Sequence, residues 1–184
     1  MIKVNVIEIA GFASVLKALR LPFGLECRSR ANAEYYKGDT EPYRFASVSF
    51  TEIEPKDLHL LSTLVKRGDA HSKVLRGLMV YMEIEAPVYW WCECETHRYG
   101  HERLSSESTM HIDCRGLSGE ELVKAKSEIP MGKMLKKIDM FSYQALRNIY
   151  KLRYDHRLPE WKSFCNVIKE LPFAKELILW NLEN

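Results

Sequence analysis

The chain has 184 residues, of which 46% are hydrophobic, and this suits one domain, residues 1–184, with a single core. Charged residues make up 28% of the chain but nearly cancel, leaving a formal net charge of +2. That balance excludes a general attraction to nucleic acid polymers, so any phosphate binding must be local.

The N-terminus, Met1 to Val6, lacks the charged start, apolar stretch and cleavage site of a secretory signal. We therefore expect a cytoplasmic protein. No apolar run approaches the roughly 20 residues that span a bilayer, because Glu and Lys interrupt every candidate, so we expect no membrane segment. The five cysteines, which form no regular disulfide framework and are predicted to be free thiols, are Cys27, Cys92, Cys94, Cys114 and Cys165.

The first quarter of the chain predicts a strand followed by a helix. Residues 3–9 alternate Val and Ile with polar residues, which predicts a strand, and residues 11–21 carry apolar residues at helical spacing. Residues 22–43 show no clear period and are assigned no element. Alternation returns in residues 45–53, which are predicted to form a second strand.

The middle of the chain predicts three helices and a further strand. Residues 55–68 start with proline and keep a three-to-four apolar spacing, which predicts a helix. Residues 75–84 are predicted to form a strand. Pro87 is placed for the first turn of a buried, aromatic helix that ends near Arg98, and Ser118 is placed to cap another helix that stops by Pro130.

The last third of the chain predicts a long helix. Residues 131–154 carry one apolar stripe, which predicts a helix running through the whole segment; the stripe consists of Met134, Ile138, Phe141, Ala145, Ile149 and Leu152. A final helix is predicted from Pro159 until Pro172 interrupts it.

The densest chemistry lies between Ala86 and His111. An aromatic run ends in Thr96-His97-Arg98, and four hydroxyls then fall within five positions, at Ser105, Ser106, Ser108 and Thr109. A guanidinium fork and hydroxyl groups both bond phosphate oxygens, so this segment suits an anionic ligand. Taken alone, a serine run is more often an ordinary loop than a phosphate site, and a single histidine is more often a helix cap or core residue.

A metal site is an alternative for the same segment, because Cys92, Cys94, His97 and His101 are ligand types within ten positions. On a helix, Cys94, His97 and His101 would share one face. Cys92 and Cys94 would point to nearly opposite sides, and zinc sites normally use longer, paired spacings. We therefore expect no metal.

Taken together, these residues resemble the flavin-dependent thymidylate synthases, also called thymidylate synthase complementing proteins. That family has a strand ending in Ala-Pro, a helix with Gln before Arg-His-Arg, and a serine after seven further residues. This sequence has Ala86-Pro87, Glu93 at the Gln position, Thr96-His97-Arg98, and Ser106 after seven residues. Leu152-Arg153-Tyr154-Asp155 resembles the family's Leu-Arg-x-Asp, with His156 and Trp161 matching a following His and Trp. A phage- and prophage-associated branch of the family has segments similar to Tyr89-Trp90-Trp91, Ser108-Thr109-Met110-His111 and the tail from Leu158 to Cys165.

The resemblance implies a fold and a reaction. The fold would be α+β, an antiparallel sheet with a long helix and flanking helices. The reaction would methylate dUMP to dTMP with FAD, NADPH and methylenetetrahydrofolate, in a homotetramer within a bacterial or phage-infected cell. The partner would be a small nucleotide and not a nucleic acid polymer.

The resemblance also assigns roles. Arg153 would be catalytic, holding or polarising the pyrimidine. The residues implied to bind flavin are His71, His97 and Arg98, and those implied to bind dUMP are Glu93, Ser105, Ser106, Glu107 and Ser108. Thr96 and Ser108 stand where the family has arginine, and a shift of the serine run by two or three residues is an open alternative register.

Two other functions fit the same residues. The first is a non-catalytic or diverged nucleotide-binding or interaction module of phage origin, which the two absent arginines favour. The second is a structural oligomer whose polar segment forms an interface. Stabilisation by a nucleotide would separate both ligand-binding functions from the purely structural one.

Overall fold

An antiparallel sheet forms the centre of the computed structural model, which describes residues 1–25, 53–68 and 70–182. Its strands, in chain order, are β1 Lys3–Ala10, β2 Met79–Pro87, β3 His101–Ser106 and β4 Met134–Ser142. Within the described residues the sheet has four strands in the order β1-β2-β4-β3, and every neighbouring pair is antiparallel. The predicted α+β class with an antiparallel sheet is confirmed.

Helices flank the sheet. They are α1 Phe12–Arg20, α2 Pro55–Lys66, α3 Val88–Cys94, α4 Thr109–Ile112, α5 Gly119–Ser127, α6 Tyr143–Arg153, α7 Pro159–Lys169 and α8 Ala174–Leu177. Short 3-10 turns occupy Leu21–Phe23 and Ser72–Gly77. The helices predicted at residues 11–21 and 55–68, and those predicted to begin at Pro87, Ser118 and Pro159, are confirmed. The Ser118 side chain, however, forms no cap hydrogen bond. None of the described helices spans a bilayer, since none combines sufficient length with sufficient apolar character.

The long helix predicted for residues 131–154 is wrong. The segment forms strand β4 followed by helix α6, and the change occurs at Ser142, whose Oγ accepts a hydrogen bond from the Ala145 amide as the helix N-cap. Within β4 the side chains of Lys137, Asp139 and Phe141 are buried in alternation. β4 pairs with β2 on one side and β3 on the other, and this pairing overrides a helical stripe in the sequence.

Three other boundaries differ from prediction. The buried helix predicted to end near Arg98 ends at Cys94. The strand predicted at residues 75–84 begins only at Met79, because the preceding residues form a 3-10 turn. Pro22 lies in another 3-10 turn, although no element was assigned there. The strand predicted at residues 45–53, most of the unassigned segment and Cys27 lie outside the described residues. Among the described cysteines Cys92 is exposed, whereas Cys94, Cys114 and Cys165 are buried, and all four are free thiols.

An aromatic cluster joins α3, α7 and the sheet. The Trp90 ring on α3 lies 4.7 Å from the Trp161 ring and 5.5 Å from the Phe164 ring on α7, and Phe164 lies 5.7 Å from Phe141 on β4. All four side chains are fully buried. Burying one such ring stabilises the fold by at most about 4 to 6 kcal/mol. This packing fixes the end of α3, and with it the turn that follows.

One end of the sheet carries the features described next. β2 and β3 begin there and β4 ends there, as the Met79–Ser142 and His101–Phe141 pairs establish. Helix α6 starts directly after β4 at the same end. Side chains from residues distant in the sequence therefore meet at this end of the sheet.

Candidate functional site

The turn between α3 and β3 is held by its own main chain. The His97 amide donates to the Cys94 carbonyl at 3.0 Å, and the His97 carbonyl lies 3.0 Å from Nδ1 of His101. The Ser142 amide donates to the Gly100 carbonyl at 2.7 Å. Gly100 has φ +74°, and a Cβ there would meet Ser142 Oγ at 2.3 Å, so only glycine fits. The turn is thus anchored on both sides.

A polar cluster forms where α3, α6 and α7 meet. The carboxylate atom Glu93 Oε2 accepts hydrogen bonds from Arg153 Nη1 at 3.0 Å and from Trp161 Nε1 at 2.8 Å, and it lies 3.7 Å from His156 Nε2. The Arg153 guanidinium lies over the Trp161 ring at 4.7 Å and donates through Nε to His97 Nε2 at 3.3 Å. We call these five residues the Glu93 cluster.

His97 is a neutral acceptor within this cluster. Because Arg153 donates to its Nε2, the ring hydrogen resides on Nδ1, which can donate to a ligand. Burial lowers the pKa of His97, and the charges of Arg153 and His101 lower it further, although the Glu93 carboxylate acts in the opposite direction. The arrangement places guanidinium donors, an imidazole donor and a carboxylate acceptor side by side.

A cleft with two lobes lies beside the anchored turn. The larger lobe, of about 530 Å³, is lined by Arg76, Met79, Tyr99, Gly100, Ser142, Gln144 and Asn148. The smaller lobe, of about 340 Å³, is lined by Thr96, His97, Arg98, Tyr99, Ala145, Asn148, Lys151 and Leu152. Both lobes share Tyr99 and Asn148, so they are adjacent, and His97 connects the smaller lobe to the Glu93 cluster.

The cleft is positively charged. Among the described residues, its lining includes Arg76, Arg98 and Lys151 but no carboxylate. None of the three cations forms an ion pair with another residue in the described ranges. Since the whole chain carries a net charge of only +2, this local excess is the feature that favours a phosphate-bearing ligand.

The structure brings together several residues named from the sequence. Glu93, His97 and Arg153 are in direct contact, and Arg98 lines the smaller lobe. His156 and Trp161 complete the cluster. The assignment of these residues to flavin or nucleotide stays a prediction, but their proximity follows from the fold.

His71 lies at the margin of this region. Its side chain is exposed, and it is not among the residues that line either lobe. The next residue, Ser72, donates a hydrogen bond to Gln144, which lines the larger lobe. A role for His71 in binding flavin stays a prediction.

The serine run lies on a different part of the sheet. Ser105 and Ser106 belong to β3 and pair with residues of β4. The Glu107 carboxylate accepts from the Lys136 amide at 2.8 Å, and Ser108 is the residue before α4. None of these four residues lines a lobe or joins the Glu93 cluster, so their predicted role with dUMP is untested.

A buried ionic network contacts the turn through His101. The sequence analysis did not predict this network. Asp139 is fully buried; its Oδ2 lies 2.6 Å from His101 Nε2, and its Oδ1 accepts from Arg103 Nε at 3.1 Å. Glu95 pairs with Arg103 and with Lys137. The signal was hidden because Asp139 lay in a segment predicted to be helical, where its burial was not expected.

The same network contains a group of three residues of the types that bind metals. Atoms of Cys94, His101 and Asp139 lie within 4.8 Å of one another, whereas Cys92 is exposed and His97 bonds Arg153. His101 and Asp139 already bond each other, and burial, followed by the Asp139 charge, raises the pKa of the Cys94 thiol far above its usual value. A cation would have to displace these hydrogen bonds, so we assign the cluster a supporting role.

Comparison with solved structures identifies known proteins that share this fold. No family model and no curated protein matches the sequence. Thymidylate Synthase X (ThyX) from Helicobacter pylori, solved with FAD and dUMP, has a TM-score of 0.66 and 14% identity over 100% of both chains. A second structure of that enzyme, complexed with FAD and dUMP, has a TM-score of 0.64 and 14% identity, and the match covers 96% of this chain and 97% of the other. The UMP/dUMP methylase PolB from Streptomyces cacaoi, bound with 5-Br dUMP, has a TM-score of 0.61 and 13% identity. That match covers 92% of this chain and 88% of the other. The chain therefore shares their fold.

Proposed function

We propose that the protein binds FAD and a deoxyuridine nucleotide and methylates the pyrimidine, converting dUMP to dTMP with NADPH and methylenetetrahydrofolate as co-substrates. The observation that carries the proposal is the positively charged, two-lobed cleft joined through His97 to the Glu93 cluster. The proposal includes the homotetramer and the cytoplasmic setting implied by the resemblance.

The residues present fit a flavin nucleotide. Arg98 and Lys151 in one lobe and Arg76 in the other offer cations for phosphate groups, and His97 offers a ring donor at Nδ1. The larger lobe lies within the roughly 300–1,000 Å³ range of small-molecule sites. When bound, the reduced flavin would supply the hydride that completes the new methyl group.

Arg153 is the residue proposed to act on the pyrimidine. Its guanidinium keeps one edge free of the described hydrogen bonds and can stabilise negative charge that develops on a uracil oxygen. Glu93 and Trp161 hold this guanidinium in place from the other side. His97 is held by the same guanidinium, so the pyrimidine and flavin contacts would be oriented together.

A second function, a nucleotide-binding module without catalysis, is favoured by one observation. Arg153 is paired with a carboxylate, Glu93, at the position where the resembled family has a neutral Gln. The pairing reduces the positive charge available to a substrate. Thr96 in place of an arginine reduces it further.

The test is the visible absorbance spectrum of the purified protein before and after it is mixed with FAD and passed through a gel-filtration column. We expect a retained flavin band that is lost in Arg98→Ala and kept in Arg115→Ala, a control at an exposed arginine that lines neither lobe. A flavin-retaining protein would then be assayed for dTMP formation from dUMP. Retention of flavin without dTMP would support the binding module, and failure of the wild type to hold FAD would exclude a flavoenzyme.

A further inference from the structure

Tyr99 is the most exposed aromatic residue at the cleft. Its relative exposure is 93%, and it lines both lobes. We propose that Tyr99 is a stacking platform for the planar ring of a phosphate-bearing nucleotide at the junction of the two lobes. This inference rests on the proposed function, because it concerns the same cleft.

The main chain on either side of Tyr99 is fixed before any ligand arrives. The His97 carbonyl faces the His101 ring, and the Gly100 carbonyl accepts from the Ser142 amide. Gly100 packs so closely on Ser142 that no larger residue fits. An aromatic side chain held on a rigid backbone loses little entropy when a ring stacks on it.

Tyr99 does not contribute to the core that holds the turn. The rings packed around α3 belong to residues other than Tyr99, and no described ring lies stacked against it. An exposed aromatic face of this kind gains from being covered by another flat ring. Tyr99 is therefore available to a ligand without any rearrangement.

The charges around Tyr99 define the class of ligand. Arg76 lies in the larger lobe, while Arg98 and Lys151 lie in the smaller one, so cations flank the tyrosine on both sides. A neutral planar ring over Tyr99 would carry its phosphates toward one or other of these cations. Nucleotides with an aromatic ring and at least one phosphate meet both requirements.

The experiment measures equilibrium binding of FAD and of dUMP to purified protein by fluorescence titration. Stacking of one ring on an aromatic side chain corresponds to roughly a 5- to 150-fold difference in affinity. We expect Tyr99→Phe to bind one of the two ligands as the wild type does, and Tyr99→Leu and Tyr99→Ala to bind that ligand about 10- to 100-fold more weakly. Phe23→Ala, at an exposed aromatic residue outside both linings, is the matched control and should not change binding.

Melting temperatures separate binding from folding. Because Tyr99 is exposed, the Tyr99 variants should have the same melting temperature as the wild type in the absence of ligand. Wild-type affinity for both ligands in Tyr99→Leu and Tyr99→Ala would overturn the inference while leaving the proposed function standing. Absence of FAD and dUMP binding in the wild type would overturn the proposed function and this inference with it.

Discussion

Three ionisable side chains of the Glu93 cluster constrain one another. Arg153 donates both to the Glu93 carboxylate and to His97, so the position of each side chain depends on the other two. Because burial and then Arg153 lower the pKa of His97, its charge responds to pH. This coupling gives two predictions for single residues.

The first residue-scale prediction concerns pH and stability. The ordinary pKa of histidine is 6.5, and that of His97 in the folded chain is lower because of burial and then of Arg153. At pH values above the pKa that His97 has in the unfolded chain, the neutral imidazole therefore contributes fully to stability. This contribution is lost as the pH falls through the lower pKa that His97 has in the folded chain. Urea unfolding at about pH 7.5 and about pH 5 should show a smaller pH dependence in His97→Gln than in the wild type. Equal pH dependence in the two proteins would contradict this account.

The second residue-scale prediction concerns the charge of Glu93. Glu93→Gln keeps an oxygen that can accept from Trp161 but removes the charge beside Arg153. The free energy of unfolding should fall by about 1 to 2 kcal/mol, while dUMP, an anion, should bind severalfold more tightly. The measurements are urea denaturation and isothermal titration. Glu120→Gln, at an exposed position on α5, is the control; unchanged affinity in Glu93→Gln would argue against this pair facing the nucleotide.

Among the elements, the turn between α3 and β3 is the one on which the site depends. It presents His97, Arg98 and Tyr99 to the cleft, and its last residue is Gly100. Gly100 and Gly116 both have positive φ, at +74° and +81°, but a Cβ has free space only at Gly116. The two glycines therefore separate backbone strain from steric contact.

Replacement of each glycine by alanine is the prediction for this turn. Gly116→Ala should cost about 1 kcal/mol of unfolding free energy, which is the effect of φ alone. Gly100→Ala should cost at least about 2 kcal/mol, because the methyl group also meets Ser142. Chemical denaturation measures both values. Equal losses would mean that the turn can move away from β4.

The elements also mark where sequence reasoning stops. Periodicity and proline placement located α1, α2, α3 and α7 because each of these patterns is local. Residues 134–142 satisfied a helical stripe, and only pairing with β2 and β3 makes them a strand. The same error concealed Asp139, whereas the proximity of Glu93, His97 and Arg153 was anticipated only through resemblance. Tyr99 and Arg76 could not be placed, since nothing local in the sequence indicates a shared cleft.

At the scale of the whole molecule, folding separates the thiols into two classes. Cys92 is exposed, while Cys94, Cys114 and Cys165 are buried. Burial raises the pKa of the Cys165 thiol to about 12, with Lys169 and Arg153 acting in the opposite direction. A thiol must ionise to react, so the buried cysteines should be inert in the native state.

The prediction for the whole molecule is a thiol count. In a Cys27→Ser variant, which removes the cysteine outside the described residues, a thiol reagent at about pH 8 should modify Cys92 rapidly. The three buried cysteines should react only after unfolding in denaturant. Mass spectrometry of the modified protein gives the count, and Cys27→Ser/Cys92→Ser is the control that should remain unmodified when folded. Rapid native modification of a second thiol would contradict the described core.

The anchoring of the turn through backbone atoms has a consequence for how the protein can change over evolutionary time. The bonds that hold this turn use the carbonyls of Cys94, His97 and Gly100, which every amino acid supplies. Positions 96, 98 and 99 can therefore be exchanged without loss of the architecture, and a shared fold at 13–14% identity is compatible with different ligand preferences. The same separation makes these three positions the natural targets for libraries that seek altered nucleotide selectivity.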